Sequence, residues 1–266
     1  MADKYGLLGY PLGHSRSPEI HALLFEKSKK GSEYDLYQAE NLNNIETLVG
    51  GLSGFNVTIP YKTEIIKHIN GLEGEAQLFC SVNTVLRTGG RLIGYNTDCE
   101  GFLFDLARLG FPFEGRICLI GCGGAGRMIA FSAAKAGCDL TISVRSPGKA
   151  KLVKEEIEQK IGISPIEITD TPAGHFDLLI NCTPVGMFPN IDGCPAADKL
   201  IENSRFVYDL VYNPTETVLV KKALAAGKKA AAGLGMLVSQ AAAAQTIWTG
   251  YRFSDTEISD VLNKIS

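Results

Sequence analysis

From Arg116 onward the chain alternates short, unbroken apolar runs with stretches of helical period. "RICLIG", "DLTISV", "FDLLINC" and "RFVYDLVY" are continuously apolar, the pattern of strands covered on both faces. Between them, "AGRMIAFSAAKAG", "SPGKAKLVKEEIEQKIG" and "TETVLVKKALAAG" read as helices, the first stopped by Gly137. Strands alternating with helices of this length are crossover units, and they predict a doubly wound parallel sheet over residues ~100–235.

The first hundred residues also alternate, as "YGLLGY", "SPEIHALLFEKSK", "YDLYQAE", "NNIETLVGG", "GFNVTI" and "YKTEIIKHI". Ser17–Pro18 predicts a helix opening, a capping hydroxyl followed by proline at the first helical position. "VNTVLRTGGRLIGYN" reads as a hairpin turning at Gly89–Gly90. The fold class expected is therefore two α/β domains. Residues 1–98 with 236–266 make the first and residues 99–235 the second, with a last helix from about Met236 to Trp248. Two domains joined at Asp98 and again before Met236 imply a cleft that closes by a hinge.

Composition narrows the partners. A net charge of −3 with interspersed signs offers no basic stripe for nucleic acid. No apolar run approaches the roughly 20 residues of a membrane span, and the Gly/Pro-broken start does not read as a signal peptide. The seven cysteines are scattered and lack a C-x-x-C pair, which fits a reducing cytoplasm, no disulfide framework and no zinc site. His21, His68 and His175 have no metal-like spacing, and His14 is given no role beyond a structural hydrogen bond.

"RICLIGCGGAGR" places Gly121, Gly123, Gly124, Ala125 and Gly126 straight after a buried strand and at the mouth of a helix. Glycines there let the backbone approach a pyrophosphate seated at the helix N-terminus. The bland alternative is a glycine-rich turn without a ligand. A cofactor without a 2′-phosphate usually finds a carboxylate at the end of the next strand. This chain instead has Arg145, Ser146 and Lys149, and a guanidinium fork suits a phosphate dianion, so NADP is the cofactor expected.

"GFNVTIPYK" sets Lys62 in what reads as the first turn of a helix, a disfavoured place for a cation. Its candidate partner is Asp98 in "GYNTDCEG", just before the helix "CEGFLFDLARLG". Ketone reduction needs a hydride and a proton; an ammonium can give that proton and a neutral amine can take it back. The opposing reading is two surface charges at helix starts.

Eight blocks in order carry a resemblance: "GYPLGHSRSPEIH", "NVTIPYK", "SVNT", "GYNTDCEG", "GCGGAGR", "NCTPVGM", "DLVYNPTET" and "GLGMLVSQA". Together they resemble the shikimate dehydrogenase family over nearly the whole chain. That resemblance implies a substrate-binding domain, a Rossmann-like NADP domain, and reversible oxidation of shikimate to 3-dehydroshikimate in aromatic amino-acid biosynthesis. By matching position it implies Lys62 for proton transfer with Asp98 as catalytic partner, and Ser15 and Ser17 for the substrate carboxylate. It further implies Asn56, Thr58, Asn83, Asp98 and Gln240 for the ring hydroxyls, with Tyr212 closing over the same pocket. Thr183, Leu210 and Gly233 join the glycine loop as cofactor residues.

Departures exist. Val144–Arg145–Ser146 stands where the family usually has Asn-Arg-Thr, and Cys122 replaces a small alanine near the nicotinamide loop, where it could make the enzyme sensitive to thiol reagents. Rival readings are an NAD-using quinate/shikimate dehydrogenase and a non-catalytic NADP-binding sensor. Retention of both Lys62 and Asp98 speaks against the sensor. Monomer and homodimer stay open.

Overall fold

The computed structural model describes residues 2–13, 15–162 and 165–266. His14 lies outside the described residues. The chain forms two compact units, Met1–Gly101 with Val238–Ser266, and Phe102–Leu237.

The first unit holds β1 (Lys4–Gly9), α1 (Ser17–Ser28), β2 (Glu33–Gln38), α2 (Ile45–Val49), β3 (Gly54–Val57), β4 (Gly71–Leu72), α3 (Glu75–Phe79), β5 (Thr84–Thr88) and β6 (Arg91–Tyr95). Their sheet runs β2-β1-β3-β5-β6-β4. β1 pairs parallel with β2 and β3, whereas β5 is antiparallel to both β3 and β6. The β5–β6 hairpin turns as expected at Gly89 and Gly90, both at positive φ, 55° and 77°, as a two-residue turn of this hand requires. Successive residues of a strand face opposite sides of a sheet. Leu8, Phe55 and Val57 therefore enter one core with Leu42, Tyr61, Ile65 and Val85, while Tyr5 and Leu7 enter another with Phe25, Tyr34 and Trp248. Asn56, between Phe55 and Val57, points to this second side, where its amide oxygen meets Tyr34.

The second unit contains β7 (Arg116–Ile120), α5 (Gly124–Lys135), β8 (Asp139–Ser143), α6 (Gly148–Lys160), β9 (Ile166–Thr169), β10 (Phe176–Asn181), α7 (Asp198–Glu202), β11 (Ser204–Asp209), α8 (Val218–Ala225) and β12 (Lys229–Ala232). All six strands are parallel, in the order β12-β11-β10-β7-β8-β9. Counted from β7, this is the 3-2-1-4-5-6 order of dinucleotide-binding sheets read from its other edge.

Between the units the chain passes inside α4 (Asp98–Leu109) and α9 (Leu234–Thr249), and α10 (Asp255–Ile265) ends the chain.

Three local readings need correction. Ser17 does not cap α1: it is the first helical residue, Arg16 occupies the cap, and the Ser15 hydroxyl accepts from the Ser17 N–H at 3.2 Å. Lys62 does not lie in a first α-helical turn. Thr58 to Tyr61 close a turn around the cis Ile59–Pro60 bond, and only a 3-10 helix follows, at Glu64–His68. α9 is not the last helix, since α10 follows it behind a Ser254–Glu257 capping box.

Candidate active site

In the first unit the loop after β3 and the start of α4 bring the two singled-out charges together. Lys62 Nζ donates to Asp98 Oδ2 at 2.6 Å. The lysine is about a third exposed at 31% and the carboxylate only 12% exposed. Asp98 does not serve as its helix's cap. Its own N–H is received by Asn96 Oδ1 at 3.1 Å, and its two carboxylate oxygens each meet a side-chain donor, Lys62 and Asn83. The Lys62 carbonyl also accepts from Val82 N–H at 2.7 Å, tying the turn to the segment that leads into β5.

Around this pair the amides interlock. Asn83 Nδ2 lies within hydrogen-bond reach of Asp98 Oδ1 at 2.9 Å, Thr97 Oγ1 at 3.0 Å and Gln240 Oε1 at 3.2 Å. Its Oδ1 accepts from Thr97 N–H at 2.7 Å. Asn83 is thus the hub that fixes Asp98 and Gln240, and it is itself buried. Asn56 is similarly engaged: Nδ2 gives to Asn83 O and Thr84 Oγ1, both at 3.0 Å, and Oδ1 receives Tyr34 OH at 2.9 Å. Ser15 and Ser17, at the start of α1, and Thr58, whose N–H donates to the Leu8 carbonyl at 2.9 Å, are half-buried in the same unit. The first unit thereby gathers a cation, a carboxylate, hydroxyls and amides, a set able to bind a small polyhydroxylated molecule and move a proton on it.

The second unit carries the glycine turn. Gly121 sits at φ +93°, where a side chain would be strained and would also strike Thr183 Cγ2 at 2.5 Å. A Cβ on Gly126 would come within 2.4 Å of the Gly121 carbonyl, so this glycine lets α5 pack close to the strand end. A Cβ on Gly123 or Gly124 would meet nothing within 4 Å. Gly123 is the N-cap of α5 and makes no side-chain cap bond to its first turn. Ala125 follows in the same turn. Arg145, Ser146 and Lys149 are exposed just past β8, and no side-chain hydrogen bond or ion pair joins any of them to another described residue. Cys122 is half-buried, and burial pushes its thiol up from the ordinary range.

Thr183, Leu210 and Gly233 stand past the carboxyl ends of β10, β11 and β12. Leu210 N–H reaches Asn181 O at 3.0 Å, and a Cβ on Gly233 would lie 2.4 Å from the Leu210 carbonyl. Tyr212 follows on the same segment of the second unit, half-buried.

What holds these segments escaped the sequence reading. Asp209 is fully buried and accepts from Asn181 Nδ2 at 2.8 Å, Val211 N–H at 3.0 Å and Thr217 Oγ1 at 2.6 Å. Asn181 Oδ1 in turn receives Thr183 N–H at 2.9 Å and Thr183 Oγ1 at 2.7 Å. Burial raises the Asp209 carboxyl above its usual value despite these donors. The available signal was a polar residue closing each of two neighbouring apolar runs, Asn181 and Asp209.

Residues 7–85 match the family described as shikimate dehydrogenase substrate binding domain. A relative from Caldanaerobacter subterraneus subsp. tengcongensis, named shikimate dehydrogenase (NADP(+)), is 39% identical over 259 residues, 94% of this chain and 92% of its own. A crystal structure of a shikimate dehydrogenase in complex with NADP+ matches at 34% identity with a TM-score of 0.91, over 100% of this chain and 96% of that one. Another, from Thermus thermophilus in complex with NADP(H) and shikimate, matches at 31% with a TM-score of 0.88, over 99% and 100%.

Proposed function

The chain belongs to the shikimate dehydrogenase family, and from that premise we propose how its own residues carry the reaction. The protein is an NADP-dependent oxidoreductase that interconverts shikimate and 3-dehydroshikimate, a step of aromatic amino-acid biosynthesis. NADP+, when bound, takes the hydride from the carbon bearing the reacting hydroxyl. Lys62 takes the proton from that hydroxyl oxygen in the oxidative direction and returns it in the reductive one. Asp98 keeps the amine in place and balances its charge, its other oxygen held by Asn83. Ser15 and Ser17, at the start of α1, donate to the substrate carboxylate, and the positive end of the helix dipole favours the same anion. Asn56, Thr58, Asn83 and Gln240 sort the ring hydroxyls. Such a ring of partners discriminates against analogues lacking a hydroxyl, because a buried polar group is left unpaired.

The chain's residues fit NADP. Gly123 and Gly124, where an added Cβ would meet nothing within 4 Å, leave room beside the α5 N-terminus, the expected seat of a pyrophosphate. Arg145, without a partner among the described residues, suits the 2′-phosphate, with Ser146 and Lys149 beside it. Thr183, Leu210 and Gly233 line the ends of the neighbouring strands on this reading, and Tyr212 serves the substrate. Among the described residues no helix is long and apolar enough to cross a membrane. All seven cysteines are thiols, which fits a reducing cytoplasm.

The observation that carries this reading is the 2.6 Å ion pair of Lys62 and Asp98 amid interlocked amides. Nicotinamide absorbance with shikimate or quinate and NADP or NAD tests it in wild type and Lys62→Ala. Shikimate with NADP is expected as the best pair. Turnover in Lys62→Ala falls by about 10²–10⁴-fold, the range of a lost proton-transfer group, with little change in KM. Undiminished kcat in that variant overturns the assignment.

A further inference from the structure

The strand order of the second sheet reverses between β7 and β10, its two central strands, and a dinucleotide seats in the crevice at such a switch point. β7 ends in the glycine turn, and β10 ends in Asn181, which is fully buried. Register places Asn181 between Ile120 of β7 and Asp209 of β11.

Each hydrogen bond of Asn181 has a fixed direction. Thr183 N–H, which can only donate, reaches Asn181 Oδ1 at 2.9 Å, so the amide must turn its Nδ2 the other way. There Nδ2 meets Asp209 Oδ1 at 2.8 Å and the Val185 carbonyl at 3.3 Å. Asp209 receives Val211 N–H on the same oxygen and the Thr217 hydroxyl on the other. Thr217 has its hydrogen to give because its oxygen accepts from Val220 N–H, as the cap of α8. The carboxylate is thus the common acceptor on which three segments converge, and it leaves Asn181 one orientation.

The same bonds decide what Thr183 presents. Its hydroxyl hydrogen goes to Asn181 Oδ1 at 2.7 Å, and its oxygen takes Val185 N–H at 3.3 Å. The methyl is left toward the glycine turn, where a Cβ on Gly121 would lie 2.5 Å from Thr183 Cγ2. Cys182 Cβ, one residue earlier, stands 3.3 Å from the place a Gly126 Cβ would take. Residues 181–183 are therefore the surface on which the glycine turn rests.

We propose that Asn181 is a positioning residue for the cofactor and that Asp209 aims it: the amide, fixed by the carboxylate on one side, holds the Thr183 turn as the wall of the switch-point crevice against the glycine turn. The inference rests on the reading of the glycine turn and Thr183 as cofactor residues.

A double-mutant cycle of Asn181→Ala and Asp209→Ala tests it in the full chain, with KM and kcat measured for NADP and for shikimate. Thermal unfolding checks that each variant is folded. Asn181→Ala alone is expected to raise KM for NADP about tenfold, the range of one hydrogen bond to a charged group. KM for shikimate should move less than about twofold. In the Asn181→Ala background, Asp209→Ala should raise KM for NADP by less than about twofold, because the group it aims is already gone. An equal effect of Asp209→Ala in both backgrounds makes the carboxylate merely structural and overturns the inference. Where Asp209→Ala does not fold, Thr183→Val takes its place, since it keeps a methyl on Gly121 and removes only the hydroxyl bond to Asn181. It should raise KM for NADP about three- to fivefold, and no change overturns the inference. Gly124→Ala is the control for the cofactor seat: its Cβ meets nothing within 4 Å in the folded chain but crowds an incoming pyrophosphate. A raised KM for NADP in Gly124→Ala beside an unchanged one in Asn181→Ala overturns the inference alone. An unchanged KM in Gly124→Ala sinks the glycine turn as the cofactor seat, and the inference with it.

Discussion

At the scale of single residues, charge type was legible and charge environment was not. Lys62 and Asp98 stand out in the sequence because one awkward cation and one helix-start carboxylate fall within family-like blocks. Their 2.6 Å contact comes from the turn around Pro60 and from the Asn83 hub, which joins groups far apart in the chain. Nothing in the composition distinguishes Asn83 from a surface asparagine. His21 is a similar case, since its burial and its stacking on Tyr34 appear only once α1 and β2 are packed. That burial has a consequence for stability. Folded His21 refuses a proton until about pH 3, whereas the unfolded chain takes one near 6.5. The contribution is therefore fully present above pH 6.5 and is lost progressively as pH falls toward about 3. Denaturant unfolding between about pH 6 and 4 should show a slope from this residue near 1.4 kcal/mol per pH unit. His21→Phe should flatten the profile by that amount, and an unchanged slope would mean that His21 titrates normally.

At the scale of elements, period and punctuation predicted most of what forms. The β5–β6 hairpin was legible because two adjacent glycines supply the positive φ its turn demands. α10 went unread although "SDTE" spells its capping box, because its amphipathic stripe is short. The segment after Pro60 was read as a helix but coils only into a 3-10 turn, since Val82 N–H takes the Lys62 carbonyl that helical bonding would need. A close crossing of α4 and α9 places Gln240 in the first unit. A Cβ on Gly101 would stand 2.6 Å from the Gln240 nitrogen and 2.8 Å from its Cβ. Backbone cannot yield that distance cheaply. Gly101→Ala is expected to displace Gln240 from Asn83 and lower kcat/KM for shikimate by about tenfold or more, roughly one hydrogen bond plus strain. KM for NADP should stay put. Steady-state kinetics with each substrate varied in turn would check this, and an unchanged shikimate constant would count against a role for Gln240.

At the scale of the molecule, the parallel sheet of the second unit followed from its continuous apolar runs, and its strand order agrees with the dinucleotide-binding topology. The first unit is discontinuous, because Val238–Ser266 returns to it. Trp248, the sole tryptophan, belongs to this returning segment; its indole N–H donates to the Val85 carbonyl at 2.9 Å. Its fluorescence therefore reports the unfolding of the unit proposed to bind substrate. Shikimate at a hundred times its Kd should raise the stability read by this probe by about 2.7 kcal/mol. Absence of any shift would place shikimate binding elsewhere.

The sequence by itself determined the two α/β units, the glycine turn before α5, the cation past β8 and the family. All of these are written in local order, as residue period, turn chemistry and motif spacing. Tertiary structure alone decided which oxygen each amide faces, which carboxylates are buried, and how Asn181 meets Asp209. Those depend on groups distant along the chain meeting within about 3 Å, a distance that hydrogen bonding fixes only after packing has brought the elements together.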